Sequence, residues 1–205
     1  MTAKTESTGR VTAPSHEPAR GAAQPSQPVL PAGAVTSLAR AAVETFVLNR
    51  RVIEPESQLR ESLLSRPSAC FVCIKTLGRE LRGCIGTVEP EKDTLAEEVI
   101  VNAVKAATRD PRFSPVAGDE LPSLRYSVDV LEAPEPAELE DLDPAVFGVI
   151  VTDRAGSRRG LLLPAIEGVR TPAQQVNVAA RKAGIRPGDP LKLYRFRTQR
   201  FSEWT

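Results

Sequence analysis

The sequence predicts an α+β fold, with a largely antiparallel sheet, flanking helices and a disordered N-terminal tail. Apolar residues alternate in short runs that come in pairs around turn residues, as in β-hairpins. Helical patterns stand between these pairs, whereas strict alternation of single strands and helices would indicate a parallel sheet. With 205 residues, of which 41% are hydrophobic, the chain can form one domain with a buried core.

Residues 1–33 are the predicted tail. They are rich in Pro, Ala, Ser and Thr and poor in large apolar side chains, so burial cannot offset the entropy lost on ordering. The folded domain is therefore expected at residues 34–205. The tail carries three of the 27 basic residues and two of the 26 acidic ones, which leaves 24 of each sign and a formally neutral domain.

The folded part is predicted to begin with a helix and a hairpin. Residues 35–50 carry an apolar stripe at helical spacing, and Thr36 is a possible N-cap for it. Residues 69–87 then give two extended runs separated by a glycine-containing turn, which predicts two antiparallel strands.

A second helix and a third strand follow the hairpin. Residues 93–110 give the clearest helical pattern, because Thr94 and Glu97 form a capping box ahead of an apolar stripe. An Asp-Pro pair ends this helix. Residues 124–131, "LRYSVDVL", then alternate as a half-buried strand.

The last part of the chain repeats the mixture of hairpin and helix. A stiff acidic connector is expected at residues 132–144, followed by a second hairpin over 147–165. A helix opens at a Thr-Pro pair and closes at a glycine, over residues 171–184. Residues 191–201, "LKLYRFRTQRF", are predicted to form one last strand.

Charge and hydropathy argue against several functions. A neutral domain lacks the surplus of Lys and Arg that nucleic-acid binding requires, and nine aromatic residues offer little for base stacking, so RNA recognition is disfavoured. No run of about 18 apolar residues occurs, and the N-terminus has no signal-peptide pattern. We therefore expect a cytoplasmic protein with no membrane contact.

The cysteines and the single histidine limit the possible chemistry. Cys70, Cys73 and Cys84 are an odd and closely spaced set, which is not expected to form a disulfide framework in a cytosolic chain. Cys70 and Cys73 face opposite sides of a strand, so no metal site and no cofactor are expected. His16 lies in the tail, which excludes a Cys-His pair within the fold unless the tail folds back.

Strand parity predicts the direction in which Cys84 points. If Leu81 and Ile85 face the core, then Arg82, Cys84 and Gly86 share the opposite face. Any thiolate at Cys84 would then depend on cations, main-chain N–H groups or a helix N-terminus, since the fold supplies no histidine.

The hairpin register gives Cys84 its neighbours. A short turn sets Cys73 opposite Cys84 and Lys75 opposite Arg82, so that two thiols lie beside two cations. Such a cluster would lower a thiol pKa and attract an anion. An alternative remains open, in which the glycines on either side, Gly83 among them, serve a bulge or close helix packing and Cys84 is a small apolar residue.

An ordered set of segments resembles the AMMECR domain family, whose prokaryotic members are called AmmeMemoRadiSam system protein A. The segments are "ELRGCIGTVEP", "DPRFSPV", "ELPSLRYSVDVLEAPEP", "FGVIVTD", "GLLLPAIEG" and "RKAGI". The resemblance covers residues 34–205. It implies an α+β fold with a larger and a smaller lobe and a cleft near residues 81–86.

The resemblance also implies partners and a site. Family members are found alongside a Memo-family protein and a radical S-adenosylmethionine enzyme, which implies a shared modification pathway. Residues 81–86 match the family signature, and residues 110–113 match the segment after the following helix. The chain departs from the family pattern at Phe147, where many members have histidine, and near Ala180, where they have cysteine.

Two functions are therefore carried forward. In the first, an enzyme or catalytic subunit uses Cys84 as a thiolate, with Arg82 stabilising it or binding an anionic substrate, and a carboxylate, lysine or water moves protons. In the second, the same segment is a non-catalytic binding or adaptor module for a small anion, a peptide or a partner protein. The residues expected to hold the ligand are Lys75, Gly83, Gly86, Asp110 and Arg112.

Overall fold

The structure is a computed structural model that describes residues 32–55 and 63–204. The predicted tail lies outside the described residues, except for residues 32 and 33, which begin the first helix. The helices are α1 (Ala32–Asn49), α2 (Leu95–Thr108) and α3 (Pro172–Lys182). The strands are β1 (Cys70–Thr76), β2 (Leu81–Gly86), β3 (Leu124–Leu131), β4 (Glu135–Ala137), β5 (Gly148–Asp153), β6 (Arg159–Leu162), β7 (Leu191–Phe196) and β8 (Thr198–Ser202).

The strands form two four-stranded sheets, and within each sheet every pair of neighbouring strands is antiparallel. The first sheet has the order β2-β1-β3-β8 and the second the order β4-β7-β5-β6. This confirms the predicted α+β class with antiparallel pairing and flanking helices. We call the first sheet with α1 and α2 the first lobe, and the second sheet with α3 the second lobe.

Two local predictions are wrong, and both concern the junction between the sheets. The predicted single last strand is two strands, since β7 pairs in the second sheet and β8 in the first, with Arg197 between them. The predicted connector contains β4, which pairs with β7. Alternation of apolar residues is the same on both sides of Arg197, so the pattern alone did not show that the chain changes sheets there.

The first lobe buries one face of its sheet under α1 and α2. Its core includes Cys70, Val72 and Ile74 of β1, the alternate residues that face the helices. Thr94 caps α2 as predicted, with its hydroxyl accepting from the Glu97 N–H at 3.2 Å. The predicted cap of α1 is wrong, because Thr36 lies inside that helix, which begins earlier at residue 32.

The second lobe packs α3 against β5 and β6. Thr171 caps α3 and Pro172 begins it, while Gly184 takes the left-handed φ of 67° just after its end, as predicted for a helix stop. A small apolar cluster joins the lobes by packing Leu131 of β3 with Ile150 and Phe196 of the second sheet. Within the described residues, no helix is both long and apolar enough to cross a membrane.

Candidate functional site

The candidate site centres on a disulfide bond between Cys73 and Cys84. The two residues lie directly opposite each other in β1 and β2, as the hairpin register predicts. The expectation that the cysteines form no disulfide is wrong. The odd number of cysteines was misleading. Cys70 stays free and buried in the core, while Cys73 and Cys84 pair on the other face of the sheet.

Main-chain hydrogen bonds explain why these two side chains meet. β2 is an edge strand, and the Cys84 N–H donates to Asp110 Oδ2 at 2.8 Å. The Cys84 carbonyl accepts from Arg112 Nη2 at 3.4 Å. Both groups therefore point away from β1, which makes Cys73 and Cys84 a non-hydrogen-bonded pair, the kind in which opposed side chains lie closest. The segment 110–113 thus closes the free edge of β2 at the cysteine.

Asp110 is a buried acceptor that organises this edge. Its carboxylate accepts from the Cys84 N–H and from the Arg112 guanidinium, whose Nε and Nη2 lie 2.9 and 2.7 Å away. The hydrogen bonds from the Arg112 side chain, more than those from the main chain, hold the pKa of Asp110 well below its usual range. Asp110 is therefore an anion at neutral pH and is not suited to act as a general acid.

The cations beside the thiols are arranged differently from the prediction. The register shifts after Ile74, so that Lys75 lies opposite Leu81 and not opposite Arg82. A β-bulge causes this shift, since β2 has one more residue than β1 between the paired positions. The predicted pairing of Lys75 with Arg82 is therefore wrong, and Lys75 lies half-buried at the end of β1.

Arg82 is engaged in an ion pair and is not directed at a thiol. Its Nε and Nη2 bind the two carboxylate oxygens of Glu120 at 2.6 and 2.9 Å, and its Nη1 donates to the Ser114 carbonyl at 2.9 Å. The hydrogen bond from Arg82 lowers the pKa of Glu120. The guanidinium bonded to the Cys84 main chain is instead that of Arg112. Arg82 anchors the loop after α2.

The two glycines of the signature permit close packing. A Cβ at Gly83 would overlap with the main-chain carbonyl oxygen of Ala106 in α2. A Cβ at Gly86 would overlap with the ring of Phe71, the residue opposite it in β1. Both glycines thus have a packing role, but only Gly83 packs against a helix, and the bulge lies at Arg82 and not at a glycine.

Cys70 is chemically separate from this site. It lies in the core of the first lobe, on the face of β1 opposite Cys73, as predicted. Burial raises the pKa of Cys70 to about 12, and the hydrogen bond from Asn102 opposes the shift only in part. Among the described residues, no group of three or more His, Cys, Asp or Glu side chains could hold a metal ion.

Sequence reasoning missed Glu98, a residue of α2 that holds the loop next to the site. This buried carboxylate of α2 accepts from the Thr87 hydroxyl and from the N–H groups of Glu91 and Lys92, each of the last two at 2.9 Å. It thereby fixes the loop that follows β2. A signal was present, because Glu98 and Asn102 stand three and seven residues after Leu95, on the buried stripe of α2.

Sequence reasoning also missed Lys182, which reaches this region from the second lobe. Its Nζ donates to the Leu161 carbonyl at 2.9 Å. Desolvation, and then the positive charge of Arg112, lower its pKa. Lys182 of the second lobe is thus close enough to Arg112 of the first lobe for their charges to interact, and no pattern within one segment of sequence could show this.

A large cavity lies elsewhere, away from the cysteine pair. It measures about 710 Å³ and is lined by residues of both lobes, including Leu131, Phe147 and Arg195. Neither cysteine nor any residue of 81–86 lines it. A cleft between the lobes is thus present, but it does not border the segment where the resemblance placed it. Phe147, one of the two departures from the family pattern, belongs to this cleft and not to the cysteine pair.

The fold and the site define a class of protein: a two-lobed α+β domain that carries a cysteine pair and a buried aspartate at the edge of its first sheet. The AMMECR1 family model matches residues 36–201. The chain therefore belongs to the AMMECR1 family.

Relatives and a solved structure agree with this assignment. A protein of Thermotoga maritima is 46% identical over 161 residues, which cover 78% of this chain and 91% of the relative. A protein of Clostridium acetobutylicum, Protein CA_C1420, is 41% identical over 167 residues, but this chain spans only 35% of its length. The crystal structure of an uncharacterized protein from Pyrococcus horikoshii matches with a TM-score of 0.74 at 30% identity, covering 83% of this chain and 90% of that one.

Proposed function

We propose that the protein is a component of a modification pathway and contributes a thiol site, in which Cys84 reacts and Cys73 resolves the product. The direct opposition of Cys73 and Cys84 within a disulfide carries this proposal. Two thiols held at this separation can pass between a dithiol and a disulfide without movement of the strands.

Cys84 is assigned as the reacting cysteine because its main chain is fixed at the free edge of the sheet. Its N–H donates to Asp110 Oδ2 and its carbonyl accepts from Arg112 Nη2. The negative charge of Asp110 is balanced by the same arginine. Both cysteines are half-buried, so a small reactant can reach them, whereas Cys70 is fully buried.

The proposed chemistry is thiol–disulfide exchange. In the reduced protein, the Cys84 thiolate attacks one sulfur of a low-molecular-weight disulfide, forms a mixed disulfide and releases the first thiolate. The Cys73 thiolate then attacks the Cys84 sulfur, closes the Cys73–Cys84 bond and releases the second thiolate. Two electrons pass from the protein to the reactant, and the protons lost by the two cysteines end on the two released thiols.

This chemistry suits the expected cellular setting. We place the protein in the cytoplasm, where disulfides are kept reduced and those that form are usually transient. We also propose that it acts with a Memo-family protein and a radical S-adenosylmethionine enzyme. Size-exclusion chromatography of the three purified proteins, mixed and alone, tests the partnership; three independent elution profiles would contradict it.

Trapping of a mixed disulfide tests the thiol site. The reduced protein, Cys73→Ser and Cys84→Ser are each incubated with glutathione disulfide and analysed by intact mass and peptide mapping. Cys73→Ser should accumulate one glutathione on Cys84, because no resolving thiol remains, while Cys84→Ser should react far more slowly. Cys70→Ala, which alters only the buried thiol, should behave as the unmodified protein does. Equal glutathione uptake at Cys73 and Cys84 in the two variants would refute the assigned roles.

A second candidate function is a binding or adaptor module that uses the same segment without reaction. The internal pairing of Arg82 with Glu120 and of Arg112 with Asp110 favours it, because these charges hold the loop in place and offer no free acid or base. An adaptor should bind its partner equally well after Cys84→Ser. A pull-down with the radical enzyme, comparing that variant with the unmodified chain, distinguishes the two functions.

A further inference from the structure

The large cleft between the lobes is lined by three arginines. Its volume of about 710 Å³ is in the range of small-molecule sites. Polar surface predominates in its lining, which comes from the chain before β1, the end of β3 and the junction between β7 and β8. The charged and aromatic residues that line it are Arg66, Glu132, Glu135, Phe147, Arg195, Phe196 and Arg197.

Two of the arginines are positioned against one aromatic ring. The guanidinium carbons of Arg195 and Arg197 lie 4.6 and 4.5 Å from the ring centroid of Phe147. Such stacking fixes the plane of a guanidinium while leaving its N–H edge free to donate. Arg195 is held further by Glu135, at 2.6 Å, and by the Asp141 carbonyl, at 3.0 Å. Its charge is therefore largely balanced.

Arg197 and Arg66 are different, because their charges are not balanced. Within the part of the chain that the structure describes, neither guanidinium forms a hydrogen bond or an ion pair, and both residues are exposed. Arg197 is nevertheless oriented by its contact with Phe147. An oriented guanidinium with unused donors matches the geometry of a carboxylate or phosphate group, which it can bind through two parallel hydrogen bonds.

We propose that this cleft binds a small molecule carrying a carboxylate or phosphate group, with Arg197 and Arg66 holding the oxyanion. The body of the ligand would lie along Phe147 and the Arg195 side chain, which already form one side of the cleft. Glu132 and Glu135 also line it, which favours a ligand with one anionic end over a polyanion. This site is distinct from the cysteine pair, whose residues do not line the cleft. The proposal of an anion site is therefore independent of the thiol chemistry.

Calorimetric titration tests the site, with inorganic phosphate and butyrate, a monocarboxylate, as the two probes. Each is titrated into the unmodified protein at low ionic strength and again in added sodium chloride. Saturable binding of either probe, weakened by salt, is expected, and the tighter probe identifies the anionic group preferred. Arg197→Gln and Arg66→Gln should each weaken that binding by about tenfold or more, the usual effect of removing a charge-assisted hydrogen bond.

Arg154→Gln is the matched control. Arg154 is exposed in the turn between β5 and β6 and does not line the cleft, so this variant removes one positive charge elsewhere on the surface. Its binding should equal that of the unmodified protein, and all three variants should keep the same Tm without ligand, since the replaced side chains are on the surface. No saturable binding of either probe, or an equal loss in Arg154→Gln and Arg197→Gln, would overturn the proposal.

Discussion

Replacing Gly83 with alanine should destabilise the protein by about 2 kcal/mol, because α2 lies directly against the main chain of β2 at this position. A Cβ there would overlap with the Ala106 carbonyl oxygen, which belongs to the helix backbone and cannot turn aside as a side chain can. Forcing an extra carbon into a packed site costs about 1–3 kcal/mol or more. Alanine also restricts the unfolded chain, which returns about 0.4–1 kcal/mol when no strain results.

Equilibrium urea unfolding and thermal unfolding measure this loss. For a protein of this size, about 2 kcal/mol corresponds to a Tm lowered by roughly 4–8 °C. Gly78→Ala is the control, since a Cβ there would meet only the Thr76 hydroxyl, at an ordinary contact distance of 3.6 Å. Its stability should stay within about 0.5 kcal/mol of the unmodified protein. Equal stability of the Gly83 and Gly78 variants would refute the packing argument.

Three further predictions concern the charged groups around β2. The pKa of Asp110 is lowered in the folded state, so the stability that its carboxylate contributes is present above the unfolded pKa of about 4 and is lost as pH falls. Asp110→Asn should therefore make the free energy of unfolding fall less steeply as the pH is lowered below neutrality. An unchanged fall in acid would contradict this. Glu98→Ala should lower the free energy of unfolding in urea by about 3 kcal/mol, because it leaves a buried hydroxyl and two N–H groups without their acceptor. A decrease of less than about 1 kcal/mol would show that Glu98 does not hold the loop after β2. Arg82→Lys should cost about 1 kcal/mol, because lysine cannot form the two parallel bonds to Glu120. In the reduced protein it should leave the reactivity of Cys84 with iodoacetamide unchanged, and an altered Cys84 rate would show that Arg82 acts on the thiol after all.

The sequence predicted most elements because their signals are local. The cap at Thr94, the helix start at Pro172 and the turns of both hairpins each depend on a few neighbouring residues. The division into two sheets could not be predicted in this way. The chain passes from the second sheet to the first at Arg197. Apolar and polar residues alternate in the same way before and after Arg197, so the pattern does not mark this passage.

The site was predictable to the extent that strand register determines it. Register placed Cys73 opposite Cys84, but one inserted residue in β2 moved Lys75 away from Arg82. The partners of the charged groups lay beyond sequence reasoning, since the contact between Arg82 and Glu120 joins residues 38 positions apart. The family resemblance indicated Asp110 and Arg112 as site residues. Their hydrogen bonds to the main chain of Cys84 in the edge strand β2 could be seen only in the folded chain.

The central claim is that Cys73 and Cys84 form one reversible redox pair, and a redox titration tests it most directly. The native protein is equilibrated in glutathione buffers of increasing oxidation, the thiols are alkylated, and each cysteine is quantified by peptide mass spectrometry. We predict that Cys73 and Cys84 lose reactivity together in a single two-electron transition, while Cys70 is alkylated only after denaturation. Separate transitions for Cys73 and Cys84, or two free thiols in the most oxidising buffer, would contradict the claim.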